Sequence, residues 1–111
     1  VATRRRGDVV WVKDVNHPEG KGRRPAVVVL ADHETLVVAV AGTSQTWDDA
    51  RPLIHVVERG TRWALSMGLD LTTAFFSDDL RRLEPDDYVF LGRRAPMKLL
   101  ELIDAALNDD S

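Results

Sequence analysis

Two short segments carry residue types able to act on a phosphate ester. The first, Glu19-Gly20-Lys21-Gly22-Arg23-Arg24-Pro25, gathers glycines, cations and a proline. Arginine stays protonated at physiological pH, and its planar fork matches two oxygens of a phosphodiester, so a fixed arginine here is an electrostatic clamp for such a group. The same arginines also have an ordinary use, pairing at the surface with a carboxylate such as Glu19. Because Arg23 and Arg24 are adjacent, an extended backbone turns their side chains to opposite faces, and only one reaches a given cleft. The second segment, Gly42-Thr43-Ser44-Gln45, supplies hydroxyls and an amide without a strong base. Such groups bind and orient, and they also stabilise ordinary turns through local backbone hydrogen bonds.

Among the remaining candidates, His17 is a candidate base, since an unperturbed imidazole titrates at about 6.5 and suits proton transfer, with an idle loop histidine as the alternative. His33 falls in an expected hairpin turn, and His55 alternates with Ile54 and Val56 as an outward strand residue does. Trp47 stands beside the second segment, where it either stacks on an unpaired base or packs onto the body of the protein. Trp11 and Trp63 lie in apolar runs and read as core or interface residues. The chain has no cysteine, which excludes disulfides, thiol catalysis and thiolate metal sites. No metal-ligating trio emerges, so no metal and no other cofactor is expected.

These segments need a scaffold. At 111 residues and 44% hydrophobic composition, a single domain spanning 1–111 with a modest core is expected. Val9-Val10-Trp11-Val12 forms a first strand, ended by the turn-prone Asn16-His17-Pro18-Glu19-Gly20. Pro25 suits a strand start, where no ladder donor is needed, and Ala26 to Leu30 follows it. Leu36 to Val40 completes a hairpin buried on both faces, or nearly so. A polar stretch from Ala41 to Pro52 is too long for a tight turn, and loops of that length are disproportionately functional. Ile54 to Val57 reads as a fourth strand, and Trp63 to Phe76 as one or two more, split near Gly68. Pro96 fits a first helical position, Leu99, Leu100, Ile103, Ala106 and Leu107 mark one helix face, and Asn108 is a stop. The pattern is mainly β with a C-terminal helix, a small antiparallel barrel whose open side that helix covers.

Charge and hydropathy bound the class. The apolar runs are far below the roughly 18 residues of a membrane span, and Asp8 and Lys13 interrupt any signal-like segment after Arg4-Arg5-Arg6. A soluble, unexported, cytoplasmic protein with no membrane association is expected. With 15 Lys+Arg against 18 Asp+Glu, the formal charge is −3, which argues against a broad cationic coat and leaves local clustering to decide. The acidic pairs Asp48-Asp49, Asp78-Asp79, Asp86-Asp87 and Asp109-Asp110 read as solvated loops and helix ends.

Taken in order, these motifs resemble the MazF/PemK endoribonuclease toxins of the CcdB/PemK superfamily. Gly7-Asp8-Val9-Val10-Trp11-Val12 resembles the family's opening strand, Glu19, Gly22, Arg24 and Pro25 its loop motif, and Thr43-Ser44 its second motif. Asp78-Asp79-Leu80-Arg81-Arg82-Leu83 is similar to its D-Q-x-R-T-[IV] strand, with Asp79 in place of Gln and Arg82 in place of Thr. Leu99 to Leu107 resembles the terminal helix. Phe76 stands where some members carry an arginine, which leaves Arg24 to act more alone.

The resemblance implies an SH3-like barrel, a homodimer, and the toxin component of a type II toxin-antitoxin system. It implies metal-independent cleavage of single-stranded RNA, in which the ribose 2′-OH attacks the adjacent phosphate and leaves 2′,3′-cyclic phosphate and 5′-OH ends. By the same resemblance Arg24 stabilises the phosphorane and Thr43 bonds a non-bridging oxygen. His17, Lys21, Arg23, Ser44, Gln45, Trp47, Asp78 and Arg81 are the implied RNA contacts. The implied partner is a cognate antitoxin whose acidic and apolar segment covers the cleft. The alternative is a non-catalytic binder on the same fold, either a degenerate toxin or a CcdB-like binder of a protein partner. The polar ending Leu107-Asn108-Asp109-Asp110-Ser111 does not favour the CcdB-like form.

Overall fold

Strand β1 (Asp8–Lys13) sends Val9 and Trp11 into one apolar group and Val10 and Val12 into another, because its sheet is packed on both faces. The structure is a computed structural model that describes residues 4–13, 23–32 and 36–108. Strands β2 (Arg23–Ala31) and β3 (Val37–Thr43) divide in the same way: Val27 and Val40 join Val9, whereas Ala26, Val28, Ala39 and Ala41 join Val10. The expected hairpin buried on both faces is therefore present. Its β2 begins two residues before Pro25, which pairs in register with Trp11.

With β4 (Leu53–Val57), β5 (Thr73–Leu83) and β6 (Tyr88–Arg94), the strands form one six-stranded sheet in the order β4-β5-β3-β2-β1-β6. Every pairing is antiparallel. The expected architecture, mainly β with a C-terminal helix, is found, as a barrel left open because β4 and β6 remain the edges of the sheet. Helix α2 (Met97–Asn108) buries Leu99, Leu100 and Ile103 against the first apolar group. The Pro96 carbonyl accepts from Leu99 N and Leu100 N at 3.0 and 3.2 Å, so the proline precedes the helix by one position and its missing N–H leaves no bond unmade. Among the described residues, no helix is long and apolar enough to cross a membrane.

One expected element is replaced. The apolar run from Trp63 does not begin a strand but forms helix α1 (Arg62–Met67), which buries Ala64 and Met67. Thr61 caps it, its side chain accepting from Ala64 N at 3.3 Å, and Gly68 ends it in the left-handed conformation at φ 75°. The α1 segment satisfies its own backbone polar groups and so needs no neighbouring strand.

Strand β5 is long and broken in register. Leu83, Arg82, Arg81 and Leu80 face Val37 to Val40, and then Phe75 faces Gly42, so Phe76 to Asp79 stand against Ala41 alone. A bulge of this kind bends a strand and re-aims its side chains. The Asp78-Asp79 pair therefore lies inside a strand rather than in a solvated loop.

Gly42 has a packing reason for being glycine: a Cβ would fall 2.6 Å from Thr73 Cγ2 and 2.8 Å from Phe75 Cε1. At the start of β1, Asp8 is only 3% exposed. Its carboxylate accepts from Arg5 N at 2.8 Å and from Arg94 Nη1 at 2.6 Å, which ties the N-terminal segment to β6.

Candidate functional site

The β2–β3 register, Val28↔Ala39, Val27↔Val40 and Ala26↔Ala41, carried two residues further sets Arg24 opposite Thr43. Residues opposed in an antiparallel pair share a face. Arg24 and Thr43 accordingly stand at the end of the face that carries Ala26 and Ala41, where the apolar cluster gives way to polar side chains.

Arg24 is half-buried and held from two sides. Nε donates to the Gly42 carbonyl at 2.9 Å, and Nη2 donates to Asp79 Oδ2 at 2.7 Å. The other oxygen of the same carboxylate, Oδ1, accepts from Arg81 Nε at 2.9 Å. One carboxylate thus links two guanidiniums, Arg24 from β2 and Arg81 from its own strand. Thr43 is also half-buried, and its Oγ1 accepts from Gln45 N at 3.2 Å, which starts the loop that leaves β3.

The neighbouring Asp78 faces away from Asp79, as strand alternation requires, and binds Arg51. Nη2 of Arg51 donates to Asp78 Oδ1 at 2.8 Å and Nε donates to Oδ2 at 3.2 Å, a two-point contact. That hydrogen bonding holds the Asp78 carboxyl below the usual aspartate range and raises Arg51 above the usual arginine value. The Arg51 guanidinium also lies 4.0 Å from the Phe76 ring centroid, and Trp47 meets the same ring edge-on at 5.7 Å. Trp47 thus packs onto the body of the protein through the Phe76 ring. The loop after Thr43 is therefore fastened to the β5 bulge by Trp47, Phe76, Arg51 and Asp78.

Arg23 projects to the other face, as expected for a residue adjacent to Arg24. It lines a pocket of about 150 Å³ with Trp11, Pro25, Ser44, Asp70 and others, so Ser44 is grouped with Arg23 rather than with Arg24. Gln45 is exposed in the loop. His55 is half-buried, its ring 5.2 Å from that of Trp63 in a separate, largely apolar pocket of about 330 Å³. His17, Lys21, Glu19, Gly22 and His33 lie outside the described residues.

The structure thus gathers Arg24 and Arg81 around Asp79, sets Thr43 in register with Arg24, places Asp78 and Trp47 near the same bulge, and sets Arg23 and Ser44 apart. Sequence reasoning missed Arg51 and the bridging position of Asp79. The available signal was the Asp78-Asp79 doublet in a strand, since adjacent strand residues face opposite ways and require separate partners. Three guanidiniums, Arg24, Arg51 and Arg81, meet two carboxylates here, so the site is locally cationic in an acidic protein. Among the described residues, no group of three His, Asp or Glu side chains is arranged to hold a metal ion.

Solved structures similar to this chain share its fold. MazF from Deinococcus radiodurans is 20% identical, with a TM-score of 0.67 over 98% of this chain and 96% of that one. A MazE–MazF complex from the same organism is 19% identical, with a TM-score of 0.65 over 98% and 95%. An endoribonuclease in complex with its cognate antitoxin, from a mycobacterial species, is 23% identical, with a TM-score of 0.62 over 96% and 92%. No curated protein sequence matches the chain. The model of one family, the PemK-like, MazF-like toxins of type II toxin-antitoxin systems, matches residues 5–109. With nearly its whole length matched to that model and its strands and helix in that fold, this chain belongs to the PemK-like, MazF-like toxin family.

Proposed function

We propose that this chain is an endoribonuclease that cuts single-stranded RNA by transesterification. The ribose 2′-OH of the substrate attacks the adjacent phosphorus, the bond to the 5′ oxygen breaks, and the products carry a 2′,3′-cyclic phosphate and a 5′-OH. Because the nucleophile comes from the substrate, the protein has only to position the phosphate and stabilise its added charge, a task that requires no metal ion. Arg24 contributes the fixed positive charge at the phosphorane, and Thr43 bonds a non-bridging oxygen. The observation that carries this reading is Arg24 seated on the Gly42 carbonyl, in register with Thr43, inside a family of toxins.

His17 and Lys21, which precede Arg23 in sequence, are the candidate base and a further phosphate contact. Arg23, Ser44, Gln45, Trp47, Asp78 and Arg81 complete the proposed RNA contacts. The protein acts in the cytoplasm as a homodimer, and a cognate antitoxin covers the cleft; the similar MazE–MazF and endoribonuclease–antitoxin complexes support an antitoxin partner.

End-group mapping of a flexible single-stranded RNA in EDTA, with wild type and Arg24→Ala, tests the reading. Cyclic phosphate ends from the wild type and their loss in the variant are expected. Cleavage that requires added Mg²⁺ overturns the mechanism. If neither form cleaves and both bind RNA or a protein partner equally well, the non-catalytic binder takes its place.

A further inference from the structure

The Asp79 carboxylate does to Arg24 and Arg81 what a phosphate group would do. It presents two oxygens on one centre, Oδ2 to Arg24 Nη2 at 2.7 Å and Oδ1 to Arg81 Nε at 2.9 Å. Carboxylate and phosphate compete for the same guanidinium fork because both offer paired oxygens and negative charge. The carboxylate has fewer anchors than the arginine. Arg24 keeps a separate anchor, its Nε bond to the Gly42 carbonyl, whereas the ion pairs of Asp79 among the described residues are both to the two arginines. Asp79 also sits in the β5 bulge, where four residues of β5 stand against one of β3 and Asp79 has no register partner on β3.

We propose that Asp79 is a built-in competitor that occupies the anion site between Arg24 and Arg81, and that an RNA phosphate binds by displacing it and bridging the same two arginines. The inference rests on the RNA reading above and adds a self-inhibitory contact to it. Arg24 stays on Gly42 while Asp79 swings aside, so the exchange leaves the clamp in place. RNA affinity is correspondingly set below what the two arginines would give alone. Arg81 becomes a phosphate ligand rather than a surface partner of Asp79.

The test measures binding of a labelled single-stranded RNA, 2′-O-methylated at every ribose, which has no attacking hydroxyl and reports affinity without cleavage. Asp79→Asn keeps the shape and removes the charge, and it should bind about 3- to 10-fold tighter than wild type, the scale of one partly exposed charge pair. Glu101→Gln removes an equal charge from the exposed face of α2 and should give a much smaller gain. An Asp79→Asn affinity that is unchanged, weaker, or raised no more than in Glu101→Gln overturns the competitor, while the RNA reading stands. Wild type and variants that all fail to bind any RNA overturn the RNA reading itself. A second measurement needs no variant: on titrating wild type with the same RNA, the Nε–H resonance of Arg81 should move together with that of Arg24. Binding that leaves the Arg81 signal in place overturns the exchange.

Discussion

Arg24 reaches from β2 across β3 to β5, its Nε on the Gly42 carbonyl at 2.9 Å and its Nη2 on Asp79 at 2.7 Å. A single side chain thereby joins three neighbouring strands, at the point where the β5 register breaks. The guanidinium is thus half-buried between a backbone carbonyl and a carboxylate of β5. The contacts are side chain to backbone and side chain to a distant strand, which gives the guanidinium one orientation relative to Thr43.

Arg24→Ala should reduce RNA cleavage by about 10²–10³, the usual cost of removing one donor aimed at developing anionic charge. Thr43→Val should cost less, because a neutral hydroxyl contributes a weaker bond than a guanidinium. Arg24→Lys should not restore activity, since an ammonium lacks the fork that reaches Gly42 and Asp79 together. Single-turnover rates, with melting curves to verify folding, check all three.

Gly42→Ala should destabilise the protein by about 1–3 kcal/mol, the range for forcing an extra group into a packed site. The new Cβ would press on Thr73 and on the fully buried Phe75 ring. It would also shift the carbonyl that seats Arg24, so activity should fall by more than the unfolded fraction explains. Urea midpoints and cleavage rates on the same samples separate the two effects.

The Arg51–Asp78 contact predicts a specific acid dependence. Hydrogen bonding from Arg51 holds the folded-state Asp78 carboxyl below its ordinary value of about 3.9. Its contribution is therefore complete above that value and is lost as pH falls through the lower folded-state value. Asp78→Asn should be less stable than wild type at neutral pH by a few tenths of a kcal/mol, because both partners are partly exposed. The difference between the two proteins should vanish in acid, and thermal unfolding from pH 7 to pH 2 is the measurement.

Asp8→Ala should cost about 1–3 kcal/mol, since it removes a buried carboxylate that satisfies Arg5 N and Arg94. The loss should loosen the N-terminal segment first. Faster amide exchange at Gly7 and Ala95, whose N–H groups bond Val28 and Gly7 respectively, would report it.

Much of the fold was legible in the chain. The β-branched runs of β1, β2 and β3 and the three-and-four spacing of α2 are local patterns, and local patterns survive folding when both faces of a sheet are buried. Strand β6 had no counterpart among the expected elements, although Tyr88-Val89-Phe90-Leu91 has strand composition. Helix α1 falls where the sequence suggests a strand, because an apolar element of six residues is too short to display a helical period. The Thr61 cap and the Gly68 stop, seven positions apart, carried the missed information.

The candidate site divides along the same line. The order of the motifs, through their family resemblance, implied that Arg24 and Thr43 act together, and the β2–β3 register of the structure sets them opposite each other. The chain alone did not determine that Asp79 would claim Arg24, that Arg51 would hold Asp78, or that Ser44 would join Arg23 on the other face. Those contacts connect residues up to 55 positions apart and depend on the bulge that turns β5. Alternation along a strand is local and readable, whereas the place where a ladder slips is set by how Gly42, Phe75 and Thr73 pack in three dimensions.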